Sequence, residues 1–141
     1  MRLDAGAARV CVENAAIGRL ATVTPDGRPH VVPVCFALVV DAVYSAVDGK
    51  PKASPALQRL VNVRANTAAA LLVDRYDDDW SQLWWARADG LARLVDDESE
   101  RAVAVGALRA KYPQYLEHAL DDAVLAIDVR AWSGWAATGS P

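Results

Sequence analysis

At 141 residues, 53% of them hydrophobic, and with a formal net charge of -3, the chain has the length of one domain, residues 1–141, and enough apolar material for a real core. That charge supplies no basic field for bulk binding to nucleic acid or an anionic membrane, and no apolar run approaches the ~20 residues of a bilayer span. The N-terminal stretch carries charges where a signal peptide needs an apolar core, and Cys11 and Cys35 stand in neither metal-ligand nor redox spacing, which points to a reducing cytoplasm.

In chain order, Asp4 is placed to cap a helix that runs to about Ile17 and stops at Gly18. A strand follows through Leu20, Thr22 and Thr24, then a Pro25-Asp26-Gly27 turn and a second strand from about Pro29 to Val39. Asp41 marks the next turn, and VYSAVDG reads as a third strand. Ser54-Pro55 has the form of an N-cap with proline at the first helical position, and Leu57, Leu60 and Val61 give that short helix an apolar stripe. AALLVDRY reads as a buried strand, DDDWSQ as a polar loop, and LWWARADGLARLV as a strand broken by a bulge at Asp89-Gly90. Asp96 or Asp97 starts a helix to Ala110, Pro113 a further helical piece, and VLAIDVRAWSGWAA is the last strand. Tight turns between consecutive strands favour an antiparallel sheet of about six strands over a doubly wound fold. Strands this short need closure or a partner to protect their edges, so a small barrel, a dimer, or both are expected.

Few residues carry obvious chemistry. Lys50 and Lys52 sit between a strand end and a helix start, where two ammonium groups and free backbone donors suit a phosphate; the alternative is a pair of solvated lysines. Trp84 and Trp85 are adjacent on a strand and point to opposite faces, one into the core and the other to a pocket wall or a dimer contact. Asp77-Asp78-Asp79 reads as a solvated turn. His30 and His118 have no nearby ligand set, so no metal site is assigned. No nucleophile elbow surrounds Ser45, no catalytic-cysteine context surrounds Cys35, and no glycine-rich phosphate loop occurs.

The ordered set GRLATVTPDGRPHVVPVCFAL, VYSAVDGKPK, LVNVRANTAAALLVDRY and LWWARADGLARL resembles the pyridoxamine-phosphate-oxidase-like split barrels, and more closely their actinobacterial branch that uses the deazaflavin coenzyme F420. The resemblance spans roughly residues 15 to 95. It implies an α+β, mainly β fold, a six-stranded antiparallel split β-barrel with flanking helices, assembled as a homodimer with two cofactor sites at the interface. It implies that the ring rests against the strand holding Val32, Pro33 and Val34, and that Ser45 and Ala46 help line the site. Lys50 and Lys52 fall where the family places basic residues on the cofactor phosphate, and Trp84 and Trp85 on the strand that approaches the ring or the substrate pocket across the dimer. Two departures stand out: Thr67 follows Asn66 where the family often has proline, and Lys50-Pro51-Lys52 replaces the arginine-lysine pair of flavin-mononucleotide (FMN) members.

A bound hydride-carrying ring would supply the difficult chemistry, so the lack of an acid-base constellation is compatible with an enzyme. Three readings follow: a coenzyme F420-dependent reductase of an unsaturated small molecule, an FMN-dependent oxidoreductase of the same fold, and a non-enzymatic module that holds a cofactor or a tetrapyrrole. No catalytic side chain is assigned.

Overall fold

The helices start where short polar side chains can satisfy their first amides. Asp4 caps α1 (Ala5–Asn14), its carboxylate accepting the Ala7 N–H at 2.8 Å. Asp97 caps α3 (Glu98–Lys111) through the Glu100 N–H at 2.9 Å, with acids in the first turn and Arg109 and Lys111 in the last, the signs that a helix dipole favours. The computed structural model describes residues 1–47, 56–120 and 123–141, excluding the side chains of 56 and 57. The expected Ser54-Pro55 start of α2 (Ala56–Ala65) therefore lies outside the described residues.

Helix α1 ends three residues short of the expected Ile17, and Gly18 opens strand β1 (Gly18–Val23) instead of stopping a helix. A Cβ at Gly18 would fall 2.7 Å from Leu71 Cδ1 and 3.2 Å from the Phe36 ring, so close packing, not a left-handed backbone, asks for glycine there. At Gly27 the expected turn does use φ of +88°.

The remaining strands are β2 (Pro29–Val34), β3 (Ala37–Val39), β4 (Ala42–Ala46), β5 (Ala68–Arg75), β6 (Trp84–Leu94) and β7 (Val124–Ala136), in one antiparallel sheet ordered β2-β1-β5-β6-β7-β4-β3. Among the described residues there are seven strands where six were expected, because the single strand anticipated over 29–39 divides at Cys35-Phe36. Its halves occupy opposite edges of the sheet, β2 on β1 and β3 on β4. Three steps of chain from Val34 to Ala37 span at most roughly 11 Å, so the sheet has to curl until its edges meet at that corner. The result is the split barrel, closed by a covalent joint where the two edge strands do not pair. Tyr112, at the end of α3, pins the joint: its hydroxyl accepts the Phe36 N–H at 3.0 Å and lies 2.9 Å from the Ala16 carbonyl and 3.0 Å from that of Phe36 as acceptors.

The barrel interior is filled by Leu20, Val34, Phe36, Val43, Leu71, Val73 and Ile127, with α1 inserting Ala8, Cys11 and Val12 at one end. Strand β5 is half-buried, not wholly buried as expected, since Leu72 faces out between Leu71 and Val73. In α2 the inward residues are Leu60, Asn62 and Val63, and Val61 is exposed, so the apolar stripe sits about one position off the expected phase. The reason is polar: buried Asn62 donates to Thr22 Oγ1 at 3.0 Å and accepts from Gln58 at 2.8 Å, which turns its face toward β1. The bulge anticipated at Asp89-Gly90 is present as a register shift between β6 and β7. No described helix is long and apolar enough to cross a membrane.

One charged cluster ties α3 to the sheet. Arg93 on β6 donates to both oxygens of Glu100 at 2.7 Å and also to Asp128 on β7 at 2.8 Å, while Tyr44 on β4 donates to Glu100 at 2.7 Å. The Arg93 guanidinium and then the Tyr44 hydroxyl hold the Glu100 carboxyl down at about 2, whereas burial and the neighbouring carboxylate push the Tyr44 hydroxyl up to about 12.

A carboxyl with a depressed folded-state value stabilises the fold fully above the ordinary 4.5 and loses that contribution as the pH falls toward about 2. Urea melts should therefore find Glu100→Gln less stable than wild type by about 1 kcal/mol at pH 7, with the gap closing near pH 2; a gap that ignores pH would assign the loss to packing instead. In the two-residue turn between β3 and β4, exposed Val40 holds φ of +55°, costly for a β-branched residue. Val40→Gly is expected to raise the thermal midpoint by about 3 °C, the effect of roughly 0.5–1 kcal/mol on a domain of this size.

Candidate functional site

The joint between β2 and β3 leaves a cleft of about 180 Å³ on the side where the barrel is split. Pro33, Val34 and Cys35 form one wall, Ser45 and Ala46 at the end of β4 another, and Arg59 from the first turn of α2, with Ile17 and Tyr115, completes it. The topology explains the meeting. β2 and β4 are far apart in sheet order, and only the curl that brings the two edges together places Pro33 beside Ser45.

The lining is apolar with a few polar groups. Ser45 is 4% exposed, and its Oγ has no hydrogen-bond partner among the described residues. A buried hydroxyl without a partner is costly, and here it lies in the wall of a cleft that a polar ligand atom could enter. Arg59, 9% exposed, brings a positive charge to the same cleft. Behind the joint, the Lys111 ammonium is buried 3.8 Å from the Phe36 ring centroid and 5.4 Å from that of Tyr112. Burial pulls this ammonium down to about 8, against the opposing pull of Cys35 and Glu13.

Of the residues singled out from sequence, Pro33, Val34, Ser45 and Ala46 come together in this cleft. Val32 lies on the inner side of β2, as Val34 does, and packs on the core without lining the cleft. Lys50 and Lys52 lie outside the described residues. Trp84 and Trp85 do not reach the cleft of their own chain. Trp84 faces inward and lines a separate cavity of about 390 Å³ with Ala7, Val10 and Cys11 of α1 and the Ser140-Pro141 end. Trp85 sits on the outer face opposite Trp135, with the Arg87 guanidinium 5.9 Å from its ring. Among the described residues the larger cavity is lined by no charged side chain and by none of the unpartnered buried polar atoms, so the smaller cleft has the better chemistry for a polar cofactor. His30, cross-strand from Thr22 on β1, lies outside the cleft lining. The acidic triplet serves its own turn: Asp77 accepts from Arg75 and the Asp79 N–H, and Asp79 from Ser81. Among the described residues no three His, Cys, Asp or Glu side chains converge as a metal site.

Arg59, Cys35, Ile17 and Tyr115 were not anticipated from sequence. The expected stripe of Leu57, Leu60 and Val61 left Arg59 without a role, and its inward position follows from the shifted phase that Asn62 imposes. Nothing local marked Tyr115, which arrives from the helical turn Pro113–Leu116 after α3.

Comparison with other proteins agrees with this architecture. No curated protein matches the chain in sequence. Among solved structures it is similar to a FAD-binding protein of Mesorhizobium loti, with TM-score 0.73 and 21% identity over 95% of each chain. It is also similar to a protein of unknown function from Corynebacterium diphtheriae, with TM-score 0.71 and 25% identity over 96% of each chain. The heme storage protein of Vibrio cholerae overlays with TM-score 0.70 at 16% identity, covering 96% of this chain and 95% of that one. Residues 5–136 match the sequence pattern described as pyridoxamine 5'-phosphate oxidase, nearly the whole barrel, and the chain belongs to that family.

Proposed function

We propose that the chain is a cytoplasmic, homodimeric oxidoreductase that binds a deazaflavin, coenzyme F420, in the Pro33–Ser45 cleft and passes a hydride to an unsaturated small molecule, with FMN as the alternative cofactor. The observation that carries this reading is the cleft itself, in which an apolar wall, an unpartnered Ser45 hydroxyl and the Arg59 guanidinium converge at the split in the barrel. These residues fit a flat heteroaromatic ring with polar edges and an anionic tail. Pro33, exposed on β2, offers an apolar surface, Ser45 Oγ a donor or acceptor, and Arg59 a charge for phosphate. Lys50 and Lys52 follow Ala46 by four and six residues, so chain length alone keeps Lys50 within roughly 14 Å of it. The Lys50-Pro51-Lys52 segment, in place of an arginine-lysine pair, favours the deazaflavin over FMN. Neither histidine lines the cleft, which speaks for a ring held by stacking and hydrogen bonds over an iron porphyrin on an axial imidazole.

A cleft of about 180 Å³ is smaller than the roughly 300–1,000 Å³ of a typical cofactor site, and a second copy would supply the missing wall. The outer sheet face carries Val31, Leu72, Trp85 and Trp135, apolar area that a partner copy would cover. A ring bound there supplies the hydride chemistry. The protein's part is to stack the ring on Pro33 along the β2 segment that ends at Val34, to hold its polar edge at Ser45, to grip its phosphate with Arg59, Lys50 and Lys52, and to keep water out. Rate then depends on positioning, with no side-chain general base at the reacting atoms.

Sedimentation should show a dimer that buries well over ~1,000 Å², and Arg59→Ala or the Lys50→Ala, Lys52→Ala pair should weaken cofactor binding about tenfold in tryptophan-quenching titrations with coenzyme F420 and FMN. A concentration-independent monomer, or unchanged binding of both cofactors, would remove the proposed site. Steady-state oxidation of reduced deazaflavin by enones, quinones and nitroaromatics should fall less than the ~10²-fold of a lost proton donor in His30→Ala. Tight binding with no turnover of any acceptor would identify a carrier or storage module.

A further inference from the structure

We propose that Cys35 is a redox-responsive thiol in the wall of this cleft, served by Lys111, and that a mixed disulfide on it closes the site to the cofactor. The proposal rests on the reading of the cleft as the cofactor site. Cys35 is a free cysteine, partly exposed, and it lines the cleft together with the unpartnered Ser45 hydroxyl, which independently marks the space as one built for a ligand. Phe36, the next residue, carries the Lys111 ammonium on its ring at 3.8 Å. That ammonium is buried and has no hydrogen-bond partner among the described residues; aromatic faces hold it where a carboxylate would be usual. A buried cation of this kind gains most from an anion that forms beside it. The ionisable groups around Cys35 and Lys111 are Glu13 from α1, Arg59 from α2, Tyr112 at the end of α3 and Tyr115 in the turn after it, and both Cys35 and Glu13 favour the charged form of Lys111. Cys11 provides the internal contrast, because burial pushes its thiol up and keeps it protonated.

The step is a thiol–disulfide exchange with a low-molecular-weight disulfide. The Cys35 thiolate attacks one sulfur, a new S–S bond forms as the reagent's own S–S bond breaks, and the released thiolate takes a proton from water. Cys35 is thereby oxidised and half of the reagent reduced, and an excess of free thiol reverses the exchange. The added group stands in a cleft of about 180 Å³ whose other walls are Pro33 and Ser45, so it takes the space that the ring would need.

Oxidised glutathione serves as the probe, with intact-mass spectrometry of the full chain following adduct formation at pH 7. One adduct should appear on wild type and on Cys11→Ser and none on Cys35→Ser. Lys111→Met should react at least about fivefold more slowly, and Lys111→Arg, which keeps the charge, should restore most of the rate. Thermal melts of each variant establish that the fold is intact. Modification chiefly at Cys11, or a Lys111→Met rate equal to wild type in a folded protein, overturns the pairing of Cys35 with Lys111. In the second arm the modified protein is titrated with coenzyme F420 and FMN, and affinity should fall at least about tenfold, returning on reduction with dithiothreitol. Unchanged affinity overturns the gate. If the unmodified chain binds neither cofactor, the site reading fails and the gate with it, while the thiol rates still decide the chemistry of Cys35.

Discussion

The two-residue joint at Cys35-Phe36 is the constraint on which the rest of this molecule depends. A continuous run of extended chain leaves one edge of the sheet as β2 and re-enters at the opposite edge as β3, with no loop long enough to relax the demand. The sheet must curl to meet it. Once curled, the interior is fixed in width, which is why β6 turns small residues inward, Ala86 and Ala88, where α1 packs on the sheet. Phe36 itself is fully buried, so the joint is also a core contact and cannot swing open cheaply.

The joint is held from outside by a sequence of contacts that begins at some distance. Arg93 grips Glu100 and Asp128, which fastens α3 to β6 and β7. The end of α3 then delivers Tyr112 to the Phe36 backbone and the Lys111 ammonium to the Phe36 ring. The charged cluster is mostly surface-exposed, so its energetic weight is modest. Its role is geometric: it sets where the last turn of α3 lies, and that turn sets the joint.

The same geometry explains why the cleft is chemically sparse. Its walls come from two strand ends and one helical turn, positions that offer backbone, small side chains and one arginine instead of an acid-base array. Such a site suits a bound ring that brings its own reactivity and needs orientation and dryness from the protein.

Much of the fold was legible in the residues because local rules and the fold agree in most places. The caps at Asp4 and Asp97, the turn at Gly27 and the bulge at Asp89-Gly90 are consequences of side-chain chemistry over a few residues, and the structure reproduces them. Resemblance to a family, together with that order of elements, was enough to indicate a split barrel and to mark Pro33, Val34, Ser45 and Ala46, which the fold does bring to one cleft. Other features were invisible because they depend on contacts between distant parts of the chain. No local signal divides 29–39 into two strands; the division follows from pairing to opposite edges. Gly18 looked like a helix stop because glycine serves both purposes, and only the approach of Leu71 and Phe36 decides between them. Arg59 faces inward because Asn62 on α2 finds Thr22 on β1, and although the opposite facing of Trp84 and Trp85 was legible from their adjacency, only the fold shows that neither lines the cleft of its own chain. Sequence by itself determined most of the elements and the caps, turn and bulge that begin or bend them, since those depend on neighbours in the chain. Tertiary structure decided which residues share the cleft, since that depends on how the sheet curls to bring its two edges together.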